Sequence, residues 1–307
     1  MRLIPAQQIE AVLNWEGVLN ALQEAHMGAR PLGESYFIGD STYGLFSRGV
    51  VLPGRGAGMK MASICPGNSR RDPALPSEDA DFLVVDEDTK KIAAVLDGPT
   101  ITRFKTAADS ALAGRYLSRE DSRVLLVLGS GPVARALTEA FLHIRPSIKQ
   151  VLLWNRSPEK LIETRDALVR RHLDVSIVRD LDAAVAQADI ISSATSATEP
   201  LIHGRHVQPG THVDLVGGFR PDMQEADCEL LGKARIFVDD RASASTSGDI
   251  LIPLQSAVIT EAQIEGDLFD LCQSPDFKRG RNDINVYKNA GGAHLDMVVS
   301  QYVISQL

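Results

Sequence analysis

An α/β fold, with a doubly wound parallel sheet and a second, smaller α+β domain, is predicted by three observations on this chain. From Asp121 onward, apolar strand-like runs alternate strictly with amphipathic helical stretches. The first of those runs leads straight into a glycine-rich turn that opens a helix. The first hundred residues behave differently, with short strand-like runs separated by turn residues.

The alternating half is the clearer of the two. Its expected strands are 124–128, 151–154, 175–178, 190–194, 212–216 and 235–238, with helices such as 133–142, 159–172 and 181–187 between them. Continuous apolar strands alternating with helices imply a parallel sheet covered on both faces. Six such strands match the doubly wound, Rossmann-type nucleotide fold.

In the first half, Ile9, Val12, Leu13, Leu19 and Leu22 lie near helical spacing and predict a helix over 6–29. Strands follow over 35–39, 43–52, 58–65, 81–85 and 92–96. The turns Pro53-Gly54 and Asp86-Glu87-Asp88 predict antiparallel pairing. Asp97-Gly98-Pro99 closes the block, and the alanines at 107, 108, 111 and 113 favour a helix over 102–117. The tail 283–307 holds Ile284 to Lys288, the pair Gly291-Gly292, and an apolar helix through Leu295, Val298 and Tyr302.

Composition narrows the function classes. At 307 residues the chain has room for two cores, and 44% hydrophobic with 23% charged residues is ordinary for a globular protein. A net charge of −8 argues against a nucleic-acid or acidic-membrane partner. Cys65, Cys228 and Cys272 share no metal-ligand spacing, and their odd number predicts no disulfide framework. No run approaches the roughly 20 apolar residues of a membrane helix. Pro5 and Glu10 come too early for a signal peptide, so the expected location is the cytoplasm.

The glycine turn reads Gly129-Ser130-Gly131-Pro132-Val133-Ala134. Gly129 allows the tight turn, Gly131 lets backbone approach a pyrophosphate, and Ala134 is small enough for helix and strand to pack. Pro132 suits the first helical position, and the free N–H groups behind it favour phosphate. In NAD sites an acidic residue about 20 positions on binds the ribose hydroxyls. Here that place reads Asn155-Arg156-Ser157, without a carboxylate. Arg156 suits a 2′-phosphate and its two neighbours suit hydrogen bonds to it, so NADPH is the expected cofactor, with NADH as the alternative. Ala194, Thr195 and Gly291 complete the expected cofactor-binding set.

Further motifs make the chain resemble the ornithine cyclodeaminase/mu-crystallin family over nearly its whole length. They are Gly58-Met59-Lys60 followed by Pro66-Gly67-Asn68, the run from Lys105 through Thr106, Ala107, Ala108, Asp109 and Ser110 to Ala113, and the glycine loop. Later matches are Gly217-Gly218 ahead of Pro221 and Glu225, then Val238-Asp239-Asp240, Gly248-Asp249, and Tyr287-Lys288 before Gly291. The resemblance implies a substrate and dimerisation domain over 1–119 and 285–307, and a dinucleotide domain over 120–284. It also implies a homodimer and hydride transfer between a nicotinamide and the Cα of a small amino or imino acid.

The family lysine maps onto Lys60, suited to gripping a carboxylate or protonating an imine nitrogen. A family arginine is replaced by Lys105, which keeps the charge but not the bidentate grip. Arg103 is expected to point away from Lys105. A second family arginine aligns near Glu34, and Arg48 on the following strand is the candidate to replace its charge. Lys60, Lys105 and Arg48 are therefore the expected substrate-binding residues, with Lys60 catalytic. Cyclodeaminases carry an aspartate where this chain has Phe219, and Asp222 replaces it only if the loop folds back. His203, His206 and His212 lack partners at ligand spacing, so no metal is expected. His294 is expected at a surface or helix cap. The resulting expectation is an NADPH-dependent oxidoreductase acting on a C=N bond of a small, cyclic imino acid such as Δ1-pyrroline-2-carboxylate, giving proline. The alternatives are NAD-dependent ornithine cyclodeamination and a non-catalytic NADPH-binding protein.

Overall fold

The computed structural model describes residues 1–274 and 277–307. Its helix predicted over 6–29 is two helices, α1 (Ala6–Val12) and α2 (Trp15–His26). The break lies at Asn14, whose side chain accepts from the Gly17 N–H at 2.8 Å and caps α2. A short amide that satisfies the first turn competes with helix continuation, so the chain restarts there.

The strands of the first half are β1 (Arg2–Ile4), β2 (Leu32–Gly39), β3 (Gly44–Leu52), β4 (Gly56–Ile64), β5 (Glu78–Val85) and β6 (Ile92–Asp97), followed by α3 (Gly98–Leu117). They form one sheet in the order β1-β6-β5-β4-β3-β2. Only β1, three residues and too short to show a period, pairs parallel; the rest are antiparallel as the turns predicted. Alternation sorts the side chains. Ala62, Phe82, Val84, Ala94 and Leu96 are buried on one face. The last helix of the chain, α11 (Ala293–Gln306), lies against β3, β4 and β5. Contact is close at Gly58, where an added Cβ would come within 2.5 Å of the Phe82 ring and 2.9 Å of Met297 Sδ. The opposite face leaves Leu32, Tyr36, Ile38, Val51, Met59 and Met61 exposed.

The second half alternates β7 (Val124–Leu128), α4 (Pro132–Ile144), β8 (Gln150–Trp154), α5 (Ile162–Val169), β9 (Asp174–Ile177), α6 (Leu181–Val185), β10 (Ile190–Ser193) and β11 (His212–Leu215). It continues through α7 (Cys228–Lys233), β12 (Arg235–Val238), α8 (Arg241–Ala244), α9 (Gly248–Gln255), β13 (Ile264–Asp267), α10 (Leu268–Gln273) and β14 (Asn285–Lys288). All six predicted strands are present. The sheet order is β13-β12-β14-β11-β10-β7-β8-β9, parallel throughout. Strand order therefore reverses between β7 and β10, where open α/β sheets bind ligands.

The sheet is wider than predicted. β13 is too short and polar to stand out in sequence. β14, which the sequence places with the smaller domain, inserts between β11 and β12, with Val286 and Tyr287 fully buried. The two compact units of the chain are accordingly 1–105 with 292–307, and 106–291. The latter half of α3 belongs with the second unit because the buried guanidinium of Arg145 donates to the carbonyls of Gly114, Arg115 and Ser118 at 2.8–3.0 Å. These carbonyls lie at the end of the helix, where intrahelical donors run out, and that of Gly114 also accepts from the Ser118 N–H and Oγ.

Candidate active site

In the second unit, Gly129 has φ of +116°, and an added Cβ would sit 2.5 Å from the Ala194 carbonyl oxygen. The glycine loop and the end of β10 thus press together, backbone on backbone. Gly131 caps α4 with Pro132 in the first turn, and the space where its Cβ would stand is open to 4 Å. Open space over the free N–H groups of a 13-residue helix is what a pyrophosphate requires. At the end of neighbouring β8, the Asn155 amide donates to the Ser157 carbonyl at 2.9 Å. Arg156 is exposed and has no ion-pair or hydrogen-bond partner among the described residues. The strand register β10-β7-β8 brings Gly129 to Val133, Asn155 to Ser157, and Ala194 with Thr195 to one edge of the sheet. Gly291 follows β14, and its N–H donates to Asp239 Oδ2 at 2.5 Å. These residues fit a dinucleotide.

Beneath this edge lies a buried polar network centred on Glu225, Asp249 and Lys288, which the sequence flags as motif residues without a role. Glu225 Oε1 accepts from Ser193 Oγ at 2.5 Å, from the Thr195 N–H at 2.7 Å and from Thr195 Oγ1 at 2.8 Å. Its Oε2 accepts from the Gly217 N–H at 2.5 Å. The Glu225 N–H donates in turn to Asp249 Oδ1 at 2.7 Å, and Lys288 Nζ donates to Asp249 Oδ2 at 3.1 Å. Glu225, Asp249 and Lys288 are all fully buried. Burial pushes the Glu225 carboxyl up to about 7, with Asp249 adding to the rise and Lys288 opposing it. Asp214, also fully buried, accepts from Ser192 Oγ at 2.7 Å, and burial raises its carboxyl to about 6. The Gly217-Gly218 pair is explained by the same network. A Cβ would come within 2.5 Å of Glu225 Oε1 at the first glycine and 2.2 Å of Asp249 Oδ2 at the second.

The first unit gathers the other predicted residues. The β3–β4 register sets Arg48 directly opposite Lys60, both half-buried on the α11 face of the sheet. Lys60 Nζ donates to Thr102 Oγ1 at 2.9 Å. Lys105 is buried and stands 3.6 Å from Asp296 Oδ2 on α11, whereas Arg103 pairs with Glu10 at 2.5 Å, directed away as predicted. Glu34 pairs in register with Gly49, so alternation places it on the exposed face, off the Arg48–Lys60 surface.

His294 departs from its surface expectation. It is buried, with Nε2 3.1 Å from His26 Nε2, and His26 Nδ1 is 2.7 Å from the Leu22 carbonyl oxygen. Burial, then His26, Lys105 and Arg48, holds its imidazole well below the usual range, so it is neutral. Nothing in local sequence signals a pair whose members are 268 residues apart. Phe219 is exposed, and Asp222 is engaged by its own loop, accepting from Arg220 Nε at 2.9 Å and Nη2 at 3.0 Å.

A glycine loop on a helix N-terminus, at the switch point of a parallel sheet, defines a dinucleotide-binding domain, and the similarities that follow place the chain among the NAD(P)-dependent oxidoreductases. Within that class the chain belongs to the ornithine cyclodeaminase/mu-crystallin family, whose model matches residues 52–307. It is 40% identical over 293 residues to a Δ1-pyrroline-2-carboxylate reductase of Paracoccus denitrificans, covering 95% of this chain and 92% of that one. The solved structure of Thermococcus litoralis Δ1-pyrroline-2-carboxylate reductase in complex with NADH and L-proline superposes with a TM-score of 0.92 at 25% identity, covering 100% and 97% of the two chains. The iminosuccinate reductase of Paracoccus denitrificans in complex with NAD+ gives 0.90 at 26% identity, covering 100% and 96%. Among the described residues, no helix is long and apolar enough to cross a membrane.

Proposed function

We propose that this chain is an NADPH-dependent reductase of a small cyclic imino acid such as Δ1-pyrroline-2-carboxylate, with an L-amino acid such as proline as product. The observation that carries the reading is Arg48 directly opposite Lys60, a pair of cations on one sheet face. Two like charges held side by side are unfavourable alone and become favourable when an anion bridges them. The substrate carboxylate is the anion we assign to them, with Lys105 adding charge.

A bound NADPH supplies the hydride. Gly129 to Val133 would hold its pyrophosphate, Asn155 to Ser157 its 2′-phosphate, and Ala194, Thr195 and Gly291 would line the rest of its site. Arg48 and Lys60 fix the carboxylate, so the adjacent C=N carbon has one orientation. As the carbon takes the hydride, the nitrogen keeps the electron pair of the C=N bond and needs one proton, which Lys60 Nζ gives. Cyclodeamination additionally requires a carboxylate in the loop after β11 for ammonia loss. That loop presents Phe219, and its Asp222 is held by Arg220.

Two copies of the chain are proposed to form a homodimer, supported by the exposed apolar face of Leu32, Tyr36, Ile38, Val51, Met59 and Met61. The deciding experiment follows NADPH and NADH oxidation over a panel of cyclic and acyclic imino acids, with ammonia release from L-ornithine assayed in parallel. NADPH oxidation with Δ1-pyrroline-2-carboxylate and no ammonia is expected. Ammonia release without net cofactor consumption overturns the reading.

A further inference from the structure

We propose that Glu225 is a positioning residue for the reductase reaction: its carboxylate clamps together the loops that follow β10 and β11. The inference rests on the dinucleotide-dependent reading above. Its basis is that one side chain accepts hydrogen bonds from both loops at once. Oε1 takes the Thr195 N–H, the Thr195 hydroxyl and the Ser193 hydroxyl, while Oε2 takes the Gly217 N–H. Four donors converging on one buried side chain are matched by an ionised carboxylate, which is acceptor-only. The two hydroxyls can turn to accept, but the two backbone N–H groups cannot. A proton on Glu225 therefore leaves at least part of the clamp unmade.

The clamp is itself anchored. The Glu225 N–H is held by Asp249 on α9, and Asp249 by Lys288 on β14, so two elements fix the backbone that carries the carboxylate. Two glycines make room for it, since a side chain at Gly217 would strike Glu225 and one at Gly218 would strike Asp249. The charged groups facing Glu225 are Asp249, which opposes its ionisation, and Lys288, which favours it. Burial and Asp249 set the carboxyl near 7, so the clamp engages as pH rises through neutrality.

The test reads the amides directly. In the cofactor-free chain, hydrogen exchange of the Thr195 and Gly217 amides is measured from pH 6 to 8 and corrected for intrinsic chemistry. Protection is expected to rise severalfold, up to about tenfold, across this range in the native chain. In Glu225→Gln it is expected to be at least about tenfold lower at pH 8 and flat with pH, while the strand amides of β7 stay protected. Turnover should fall roughly 10- to 100-fold in that variant, with the KM for NADPH rising by a clearly smaller factor, because Thr195 at the cofactor site is loosened while the glycine loop is untouched. Glu225→Asp, which keeps the charge with a shorter reach, should fall between the two. Equal protection in the native and Gln chains overturns the proposal, as does a parallel loss of turnover and NADPH affinity. If Glu225→Gln fails to fold, Glu225→Asp decides: Thr195 and Gly217 amides as protected in that variant as in the native chain overturn the clamp. A native chain that ignores Δ1-pyrroline-2-carboxylate counts against the substrate assignment alone, since the exchange experiment uses no substrate.

Discussion

Arg48 and Lys60 face one another across the β3–β4 ladder, two cations on the same side of one antiparallel pair. Like charges directly opposite cost a sheet on the order of 0.2–1 kcal/mol. The Phe46 ring, 5.4 Å from the Arg48 guanidinium carbon, and the Thr102 hydroxyl on Lys60 offset part of that cost, and an anion between the two cations would offset more. Stability and activity should therefore respond in opposite senses at these positions.

Arg48→Met and Lys60→Met are expected to leave the melting temperature unchanged or slightly raised. Each should raise the KM for the imino-acid carboxylate roughly 10-fold or more, for loss of a charge-assisted contact of about 1.5–3 kcal/mol. Lys60→Met should also lower kcat, as the assigned proton donor. Thermal melts and steady-state kinetics on the same preparations check this. A lower melting temperature with unchanged KM would make the pair structural.

Arg156 stands exposed at the end of β8 with no partner among the described residues. Its removal should cost NADPH selectively. Arg156→Ala is expected to raise the KM for NADPH about 10- to 100-fold, the equivalent of one charge-assisted hydrogen bond or ion pair. The KM for NADH should move less than about twofold. Equal loss with both cofactors would remove the 2′-phosphate assignment.

His212 offers a test of stability against pH. Its ring is fully buried, 6.1 Å from the Phe141 ring centroid, and burial, followed by Arg279 and Arg145, pushes it down to about 3. A base with a folded value below its unfolded one binds fewer protons folded than unfolded. Stability from this source is intact above about pH 6.5 and lost as pH falls toward 3, amounting to about 2 kcal/mol at pH 5. His212→Leu should therefore gain about 2 kcal/mol relative to the native chain between pH 7.5 and pH 5, read from urea unfolding. An unchanged gap at the two pH values defeats the argument.

Much of the fold was legible in advance, for physical reasons that operate over short distances. The six strands of the parallel array are apolar runs long enough to declare themselves, and Gly129 to Ala134 carries its chemistry within six consecutive residues. The antiparallel strands were equally readable from their turns. The break at Asn14 was missed because apolar spacing outweighed one capping residue. β14 was assigned to the wrong neighbourhood because a four-residue strand has no preference until its partners, β11 and β12, are in place.

Sequence alone determined the glycine-loop edge of a parallel sheet, since strand, turn and helix there are contiguous. It also supplied Lys60, Lys105 and Arg48 as a set of charges without an arrangement. Tertiary structure decided the arrangement: strand register set Arg48 against Lys60 and turned Glu34 to the other face. It likewise joined Glu225, Asp249 and Lys288, and buried His26 against His294. Those contacts join residues 24, 39 and 268 positions apart, where period and propensity carry no information and only the completed fold supplies the partner.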